Sequence, residues 1–279
     1  MFLSNGADSV YHSMQTTLRK RFSNGFLVNV AWTYSKVIDD QSTDPIVTTF
    51  TPTSVQVLDS TNLRNERARA DFDQKHVVTA TWIYELPFGE GKKFFGNKGS
   101  GFVNAVLGGW QVQGLMTSMS GEPFSVSSGA KTAVYSTATN SRAALTSNVL
   151  PDATLKSKPG KIGPVYFLDT TGFALPAPGS SGMGRNMFNS PRYWDMDGAI
   201  AKNFNIGERV KGMFRLEAFN ALNHANFRSL RNASVGSNSI LNPNFGTACC
   251  QSLATATSTA IVSNGEAYRV AQMVLRLSF

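Results

Sequence analysis

Apolar and polar residues alternate in seven segments of this chain, most regularly in its last eleven residues. There five apolar side chains share one parity, and Gln272, Arg276 and Ser278 take the other; the apolar row is Ala271, Met273, Leu275, Leu277 and Phe279. A period of two residues predicts a β-strand with one apolar and one polar face. The same pattern predicts strands at about 9–22, 26–37, 75–87, 109–120, 194–204, 210–220 and 268–279.

The connections between these strands differ greatly in length. Residues 23–25 and 205–209 are short, residues 88–108 are intermediate, and residues 38–74, 121–193 and 221–268 are long. A compact domain seldom contains three unstructured connections of that length. A transmembrane barrel has short turns on the periplasmic side and long loops outside. If the C-terminus is periplasmic, every long connection is extracellular. The pattern therefore predicts an all-β fold, an antiparallel transmembrane β-barrel with long extracellular loops.

Aromatic residues cluster at the predicted periplasmic ends of the strands, as in the girdles of outer-membrane barrels. They are Phe22, Phe26, Tyr84, Phe88, Phe94, Phe95, Trp110, Phe204 and Phe279. The terminal row Met273, Leu275, Leu277 and Phe279 resembles the signal by which the barrel-assembly machinery recognises bacterial outer-membrane barrels. An edge strand of a soluble protein is the alternative interpretation. The barrel interpretation places the chain in the bacterial outer membrane, in contact with its lipid and lipopolysaccharide.

Two structural expectations follow from the alternation. Trp32, Trp82, Ile200, Leu216 and Leu275 should share the lipid-facing side, and Leu275 should differ from Arg276 in exposure. Seven strands do not close a bacterial barrel, which needs an even number. We therefore expect this chain to be the C-terminal part of a larger single barrel domain. The first residues also lack a secretion signal, which an outer-membrane protein needs, so either the barrel interpretation is wrong or the signal peptide lies outside the chain.

Composition narrows the function classes. Charged residues make up 16% of the 279 residues, and the formal net charge is +8. Nucleic-acid binding is disfavoured because the basic residues form neither a helix face nor a known motif. No apolar run reaches the roughly 18 residues that a membrane helix needs. The adjacent Cys249 and Cys250 suit neither an unstrained disulfide nor a metal site, because neighbouring Cα atoms are about 3.8 Å apart.

We find no pattern that predicts catalysis or a cofactor. His12, His76 and His224 are scattered, and no phosphate-binding loop or nucleophile elbow occurs. The first long loop is acidic, and Asp39, Asp40 and Asp44 offer oxygens of the kind that Ca²⁺ prefers, although a solvated loop base is favoured because no ordered ligand spacing is present.

Two further groups of charged residues have possible binding roles. The 121–193 segment carries an excess of basic residues that would attract anionic ligands or lipopolysaccharide phosphates. Five polar side chains fall on lumen-facing parities, where we expect a network in the barrel wall more than a selective binding site. They are Asp195, Asp197, Arg215, Glu217 and Arg276.

Several segments resemble TonB-dependent outer-membrane receptors, in particular the Oar-like branch with a carboxypeptidase-regulatory-like N-terminal domain. The segments are Tyr11–Phe22, Ala31–Lys36, Tyr84–Gly89, Gly109–Val112 and Phe214–His224. The resemblance covers most strands and little of the loops. It implies a barrel of about 22 strands, of which this chain supplies the last seven. It also implies energised uptake of a large nutrient through a barrel that an N-terminal plug blocks. We expect the plug, and the N-terminal region that engages the TonB complex, to lie outside the chain.

Three functional hypotheses remain open on the sequence. The first is the barrel part of a TonB-dependent receptor, which acts in transport or binding and is no enzyme. The second is a plug-free outer-membrane porin or adhesin, and the third is a soluble secreted all-β binding module or enzyme. The substrate, the oligomeric state and the state of the two cysteines cannot be predicted from the residues.

Overall fold

A computed structural model describes residues 6–42, 57–59, 61–95, 101–133, 140–153, 165–166, 168–206, 210–224, 226, 238–243, 245–248 and 269–279. Seven long strands form most of this described part. They are β1 Ser9–Ser23, β2 Phe26–Asp39, β3 His76–Glu85, β4 Trp110–Met119, β5 Tyr193–Ile206, β6 Val210–Phe219 and β7 Val270–Ser278. Their bounds differ from the predicted ones by at most two residues. Helix α1 covers Gly101–Leu107, and two 3₁₀ turns cover Leu63–Glu66 and Thr170–Gly172.

Each long strand pairs antiparallel with the long strand that follows it in sequence, from β1 to β7. A two-residue strand, Ala68–Arg69, extends the sheet beside the end of β2. Among the described residues β1 and β7 each have one long neighbour, so the sheet is open. The predicted all-β antiparallel fold of about seven strands is therefore confirmed.

The two ends of the sheet differ. One end carries the Asn24–Gly25 hairpin, whose residues have φ of 53° and 77°. Two successive left-handed residues form the type I′ turn, whose twist matches that of the flanking strands. We call this the turn end. The opposite end, from which the three long connections leave, is the loop end.

The cross-strand register gives the sheet one apolar and one polar face, because directly paired residues share a face. Pairs such as Val30–Ala80, Val112–Ile200 and Leu216–Met273 define the apolar face. The apolar face carries Met14, Leu18, Val28, Val30, Trp32, Val78, Trp82, Val112, Met116, Met196, Ile200, Phe214, Leu216, Met273, Leu275 and Leu277. The five residues predicted to share the lipid-facing side all lie on it.

The polar face carries mainly amide, hydroxyl and charged side chains. It includes Gln15, Asn29, Thr33, Thr79, Thr81, Gln113, Thr117, Asp195, Asp197, Arg215, Glu217, Gln272 and Arg276. The predicted contrast in exposure between Leu275 and Arg276 is wrong, because both are exposed. They lie on opposite faces, but β7 is an edge strand and neither of its faces is covered.

Aromatic rings meet at the turn end. Phe26 and Tyr84 pair edge to face with ring centroids 6.0 Å apart, and Phe88 lies 5.8 Å from Phe94 and 6.5 Å from Phe95. The Lys202 ammonium lies over the Trp110 ring. Rings with lysines beside them are suited to a membrane–water interface. Most of the predicted girdle is thereby brought together at this end.

The long connections fold together at the loop end, although the sequence predicted them as unstructured. We call their described residues the loop assembly. Its core consists of Phe124, Val126, Ala143, Leu168, Met183 and Phe188, all buried. Three pairs of two-residue strands cross it: Pro123–Phe124 with Phe188–Asn189, Ala144–Leu145 with Phe173–Ala174, and Val165–Tyr166 with Thr247–Ala248. The sequence reading missed this core because two-residue strands leave no periodic signal.

In the part of the chain that the structure describes, no helix combines the length and the apolar character needed to cross a bilayer. Cys249 and Cys250 lie outside the described residues.

Candidate functional site

The loop assembly is joined internally by a buried ion pair. The Arg142 guanidinium, from the 121–193 connection, donates to both carboxylate oxygens of Glu66, from the 38–74 connection, at 2.8 and 3.2 Å. Both side chains are buried, and Arg142 Nε also donates to the carbonyl of Met183 at 2.6 Å. A paired fork of this kind fixes geometry as well as charge. It locks two long connections together.

A second arginine fastens the loop assembly to the sheet. Arg185 donates to the side chain and carbonyl of Asp39, the last residue of β2. Its Nε donates to the Glu66 carbonyl at 2.9 Å, and its Nη1 donates to Ser42 Oγ at 3.0 Å. Because Asp39 is on the polar face, Arg185 anchors the loops over that face. Ser35 and Val37, which share this face and this end of β2, are buried as well.

The acidic residues of the first loop serve mainly as anchors for basic groups. Asp73 accepts from the Val37 amide at 2.8 Å and from Arg69 Nε at 2.7 Å. Asp40 accepts from the Asp8 amide at 3.1 Å and lies 3.4 Å from Arg67. Asp39 and Asp40 are thus paired with Arg185 and Arg67, respectively, which argues against a calcium site at these two carboxylates. Asp44, the third predicted ligand, lies outside the described residues.

A close backbone approach places the buried Arg142. Gly182 has a φ of 82°, and a Cβ there would be 1.8 Å from the Arg142 carbonyl oxygen. Only glycine allows both this left-handed conformation and this contact. Met183, the next residue, then supplies the carbonyl that Arg142 Nε binds.

The predicted lumenal residues lie on the polar face, and three of them line one cavity of about 240 Å³. Arg215 Nε is 2.5 Å from Glu217 Oε1, and Glu217 also accepts from Gln272. Asp197 Oδ1 accepts from the Asn220 amide at 3.0 Å, which ties the polar face to the start of the last long connection. These contacts form a network along the wall.

Asp195 and Arg276 stand apart from that cavity. Asp195 pairs with Thr117 across strands, and its buried Oδ1 atom has no hydrogen-bond partner among the described residues. Arg276 pairs with Met213 near the turn end and is exposed. The five predicted residues thus share a face, but only Asp197, Arg215 and Glu217 converge.

The predicted assembly row also lies on one face. Met273 pairs with Leu216, Leu275 with Phe214 and Leu277 with Gly212 on the apolar face. Phe279 continues the parity and is 95% exposed. The role of this row in assembly stays a prediction.

Comparison with known families identifies the class of protein. The model for the outer membrane beta barrel domain matches residues 2–262, and the chain belongs to that family. It is therefore a barrel protein of the bacterial outer membrane, with its apolar face toward lipid, its polar face toward the lumen and its loop end outside. A search of curated proteins and a search of solved structures each found no match.

The sequence reading missed Glu66, Arg142 and Arg185, which hold the loop assembly together. Each is a single charged residue in a long non-periodic segment. Glu66 and Arg142, the two partners with the smallest separation in sequence, are 76 positions apart. The excess of basic residues in the 121–193 segment predicts attraction of external anions. Two of its arginines bind acidic groups of the neighbouring loop instead.

Proposed function

We propose that this chain forms part of a TonB-dependent outer-membrane receptor for a large nutrient. The observation that carries the proposal is the folded loop assembly over the loop end of the polar face. A receptor needs ordered external loops to recognise a scarce ligand, whereas a general porin needs an open water-filled lumen. The Arg185–Asp39 contact and the burial of Ser35 and Val37 support a covered lumen.

A receptor of this kind also needs a lumenal wall against which a plug can lie, and the polar face is suited to that role. Arg215, Glu217 and Gln272 form a contact network, and Asp197 lines the same cavity. We propose that this network lies against a plug. Contact with the TonB complex would be made by a region outside these 279 residues. We expect the wall itself to carry no enzymatic activity and no cofactor.

The barrel-assembly machinery is a further proposed partner. The row Met273, Leu275, Leu277 and Phe279 presents exposed apolar side chains at one edge of the sheet. An unpaired strand edge in lipid leaves backbone groups unsatisfied, so it must gain a partner strand during insertion. The machinery would recognise this row and guide that pairing.

Liposome swelling separates the receptor from the porin hypothesis. The natural full-length protein would be purified from the outer membrane and reconstituted, and the entry of a disaccharide would be followed by light scattering. We expect swelling no faster than in protein-free liposomes. A second experiment, co-purification with the periplasmic domain of TonB, should give a complex. Rapid swelling together with no TonB complex would favour the porin.

A further inference from the structure

A cavity of about 650 Å³ opens on the apolar face at its loop end, outside the lumen. Its floor is formed by Trp32, Val78 and Ser118, which lie side by side in the register of β2, β3 and β4. Arg69, opposite Ile38, shares this face. Arg192 has the same parity as Trp194, which is paired with Ser118. The cavity therefore faces the outer leaflet, and we call it the rim cavity.

The rim cavity is cationic. Arg69, Lys75 and Arg192 line it, and no carboxylate is among its described lining residues. Arg69 is held by Asp73 and by the Asn189 side chain, at 2.7 and 2.5 Å. Lys75 and Arg192 are exposed, and neither makes an ion pair within the described ranges. The two cations are therefore available to an anion from outside.

Aromatic groups fix the lower wall of the cavity. Trp32 Nε1 donates to His76 Nδ1 at 3.3 Å, and the two rings stack with centroids 6.0 Å apart. Tyr34 lies 5.1 Å from His76, and the Lys75 ammonium lies 5.9 Å from the Tyr34 ring. Amphipathic rings of this kind are enriched where acyl chains give way to headgroups.

The depth of the cavity in the membrane also agrees with a position at the headgroups. The rings of the turn end begin at Phe26, and Tyr34 is about 27 Å further along β2 at about 3.4 Å per residue. For a strand tilted by about 40°, this is roughly 20 Å along the membrane normal, close to the apolar band of about 25 Å. The rim cavity therefore lies at the level of the headgroups of the outer leaflet.

We propose that the rim cavity binds a phosphate of the phosphorylated glycolipid that forms the outer leaflet, the lipid A part of lipopolysaccharide. Lys75 and Arg192 bind the phosphate oxygens, and Arg69 adds donors from its fixed position. Trp32 and Val78 contact the first carbons of the acyl chains. The proposal depends on the membrane placement of the barrel and is independent of what the barrel transports.

Native mass spectrometry of the full-length protein, purified in detergent and freed of lipid, tests the proposal. Lipid A with two phosphates should bind as a single discrete adduct. Fully dephosphorylated lipid A should bind at least about tenfold more weakly, since each charged hydrogen bond to phosphate is a strong one. Equal binding of the two lipids would overturn the proposal without any variant, because the acyl chains alone would then account for it.

Paired variants locate the site. Lys75→Gln with Arg192→Gln should weaken lipid A binding about 30-fold, because each cation near an anionic lipid surface contributes about a factor of five. The matched control is Lys20→Gln with Lys93→Gln, which removes two cations that lie over Phe26 and Phe94 at the turn end. This control should change binding by less than about twofold. Equal losses in the two double variants would place the phosphate elsewhere.

Two further measurements complete the test. Heat-modifiable gel mobility shows whether each variant has a folded barrel, and Lys75→Arg with Arg192→Lys should retain binding since it keeps both charges. Inorganic phosphate, added alone at rising concentration, should not displace lipid A, because it lacks the acyl chains. Displacement by phosphate at concentrations comparable to the lipid would contradict the lipid assignment and favour a site for free phosphate.

Discussion

The sheet and the loop assembly are stabilised in different ways. The sheet is held by a continuous ladder of backbone hydrogen bonds, and its large apolar side chains, such as Leu18 and Leu216, remain exposed. The loop assembly has little regular structure but buries Phe124, Phe188 and the Glu66–Arg142 pair. The sheet is adapted to lipid as its solvent. Lipid solvates apolar side chains but offers no hydrogen bonds, so the backbone groups must pair with one another. The loop assembly is adapted to water, and it needs a core.

This difference predicts separate responses to mutation. A change in the wall should affect insertion and barrel stability, whereas a change in the buried ion pairs should release the loops and leave the barrel intact. The variants below test this separation, from the largest expected effect to the smallest.

Phe279→Ala should have the largest effect, a loss of most folded barrel from the outer membrane. Phe279 extends the apolar row of β7 at the edge that must find a partner strand. Heat-modifiable mobility of the outer-membrane fraction measures the folded yield. Val149→Ala, at an exposed position of the loop assembly, is the control and should match wild type. A normal yield for Phe279→Ala would remove the assembly role of the tail.

Arg142→Met should destabilise the loop assembly by about 3–5 kcal/mol, because it leaves the Glu66 carboxylate buried without its partner. Limited proteolysis of intact cells should then cleave the loops, while the barrel keeps its heat-modifiable mobility. Lys92→Met is the matched control: the Lys92–Glu85 pair is 2.6 Å long but more than a third exposed on both sides, so about 0–1 kcal/mol is expected.

The double variant Glu66→Leu with Arg142→Met sharpens this result. Two apolar side chains in place of a buried ion pair remove both charges, so much of the lost stability should return. If Arg142→Met leaves the loops as protease-resistant as wild type, the pair does not join the two connections.

Gly114→Ala should destabilise the wall by about 1–3 kcal/mol through overpacking. A Cβ at Gly114 would be 2.0 Å from the Trp82 ring. Gly198, its direct partner across β4 and β5, provides a close control, because a Cβ there meets nothing nearer than 3.8 Å. Gly198→Ala should therefore be nearly neutral. Equal urea midpoints for the two variants would show that the Trp82 ring moves without cost.

Asp59→Asn should have the smallest effect, a slight loss of loop stability at neutral pH that disappears as the pH becomes acidic. The Thr61 hydroxyl donates to the Asp59 carboxylate at 2.6 Å and lowers its pKa, with help from the amides of Thr61 and Asn62. A pKa that is lower in the folded state gives stability above the unfolded-state pKa, which is lost as pH falls through the folded-state value. Asp59→Asn should weaken the acid dependence of loop proteolysis slightly. An unchanged acid profile would show that this turn contributes nothing.

The wall could be predicted from the sequence because parity alone determines its faces. A shift of one residue in register would turn Leu216 toward the lumen and Glu217 toward lipid. The alternation along each strand therefore determines which residues lie on each face. The equal exposure of Leu275 and Arg276 could not be predicted, because it depends on which neighbour covers an edge strand. Exposure also depends on closure of the sheet.

The loop assembly could not be predicted for a different reason. Its contacts join residues that are far apart in sequence, as in Arg185 with Asp39, and no periodicity marks them. Acidic residues in the first loop suggested a cation, and the structure supplies arginines in that role. Within the lumenal set, parity correctly placed Asp195 and Arg276 on the polar face but could not show that they lie away from Asp197, Arg215 and Glu217.

The placement of one face of the sheet against lipid and of the other toward the lumen can be measured directly. Spin labels placed singly at positions 214 to 218 of β6, in full-length protein with Cys249 and Cys250 replaced by serine, test it in a reconstituted bilayer. Collisions with oxygen, which dissolves in lipid, should be frequent at positions 214, 216 and 218, and collisions with a water-soluble nickel complex should be frequent at positions 215 and 217. A profile without this alternation, or with the opposite phase, would contradict the account.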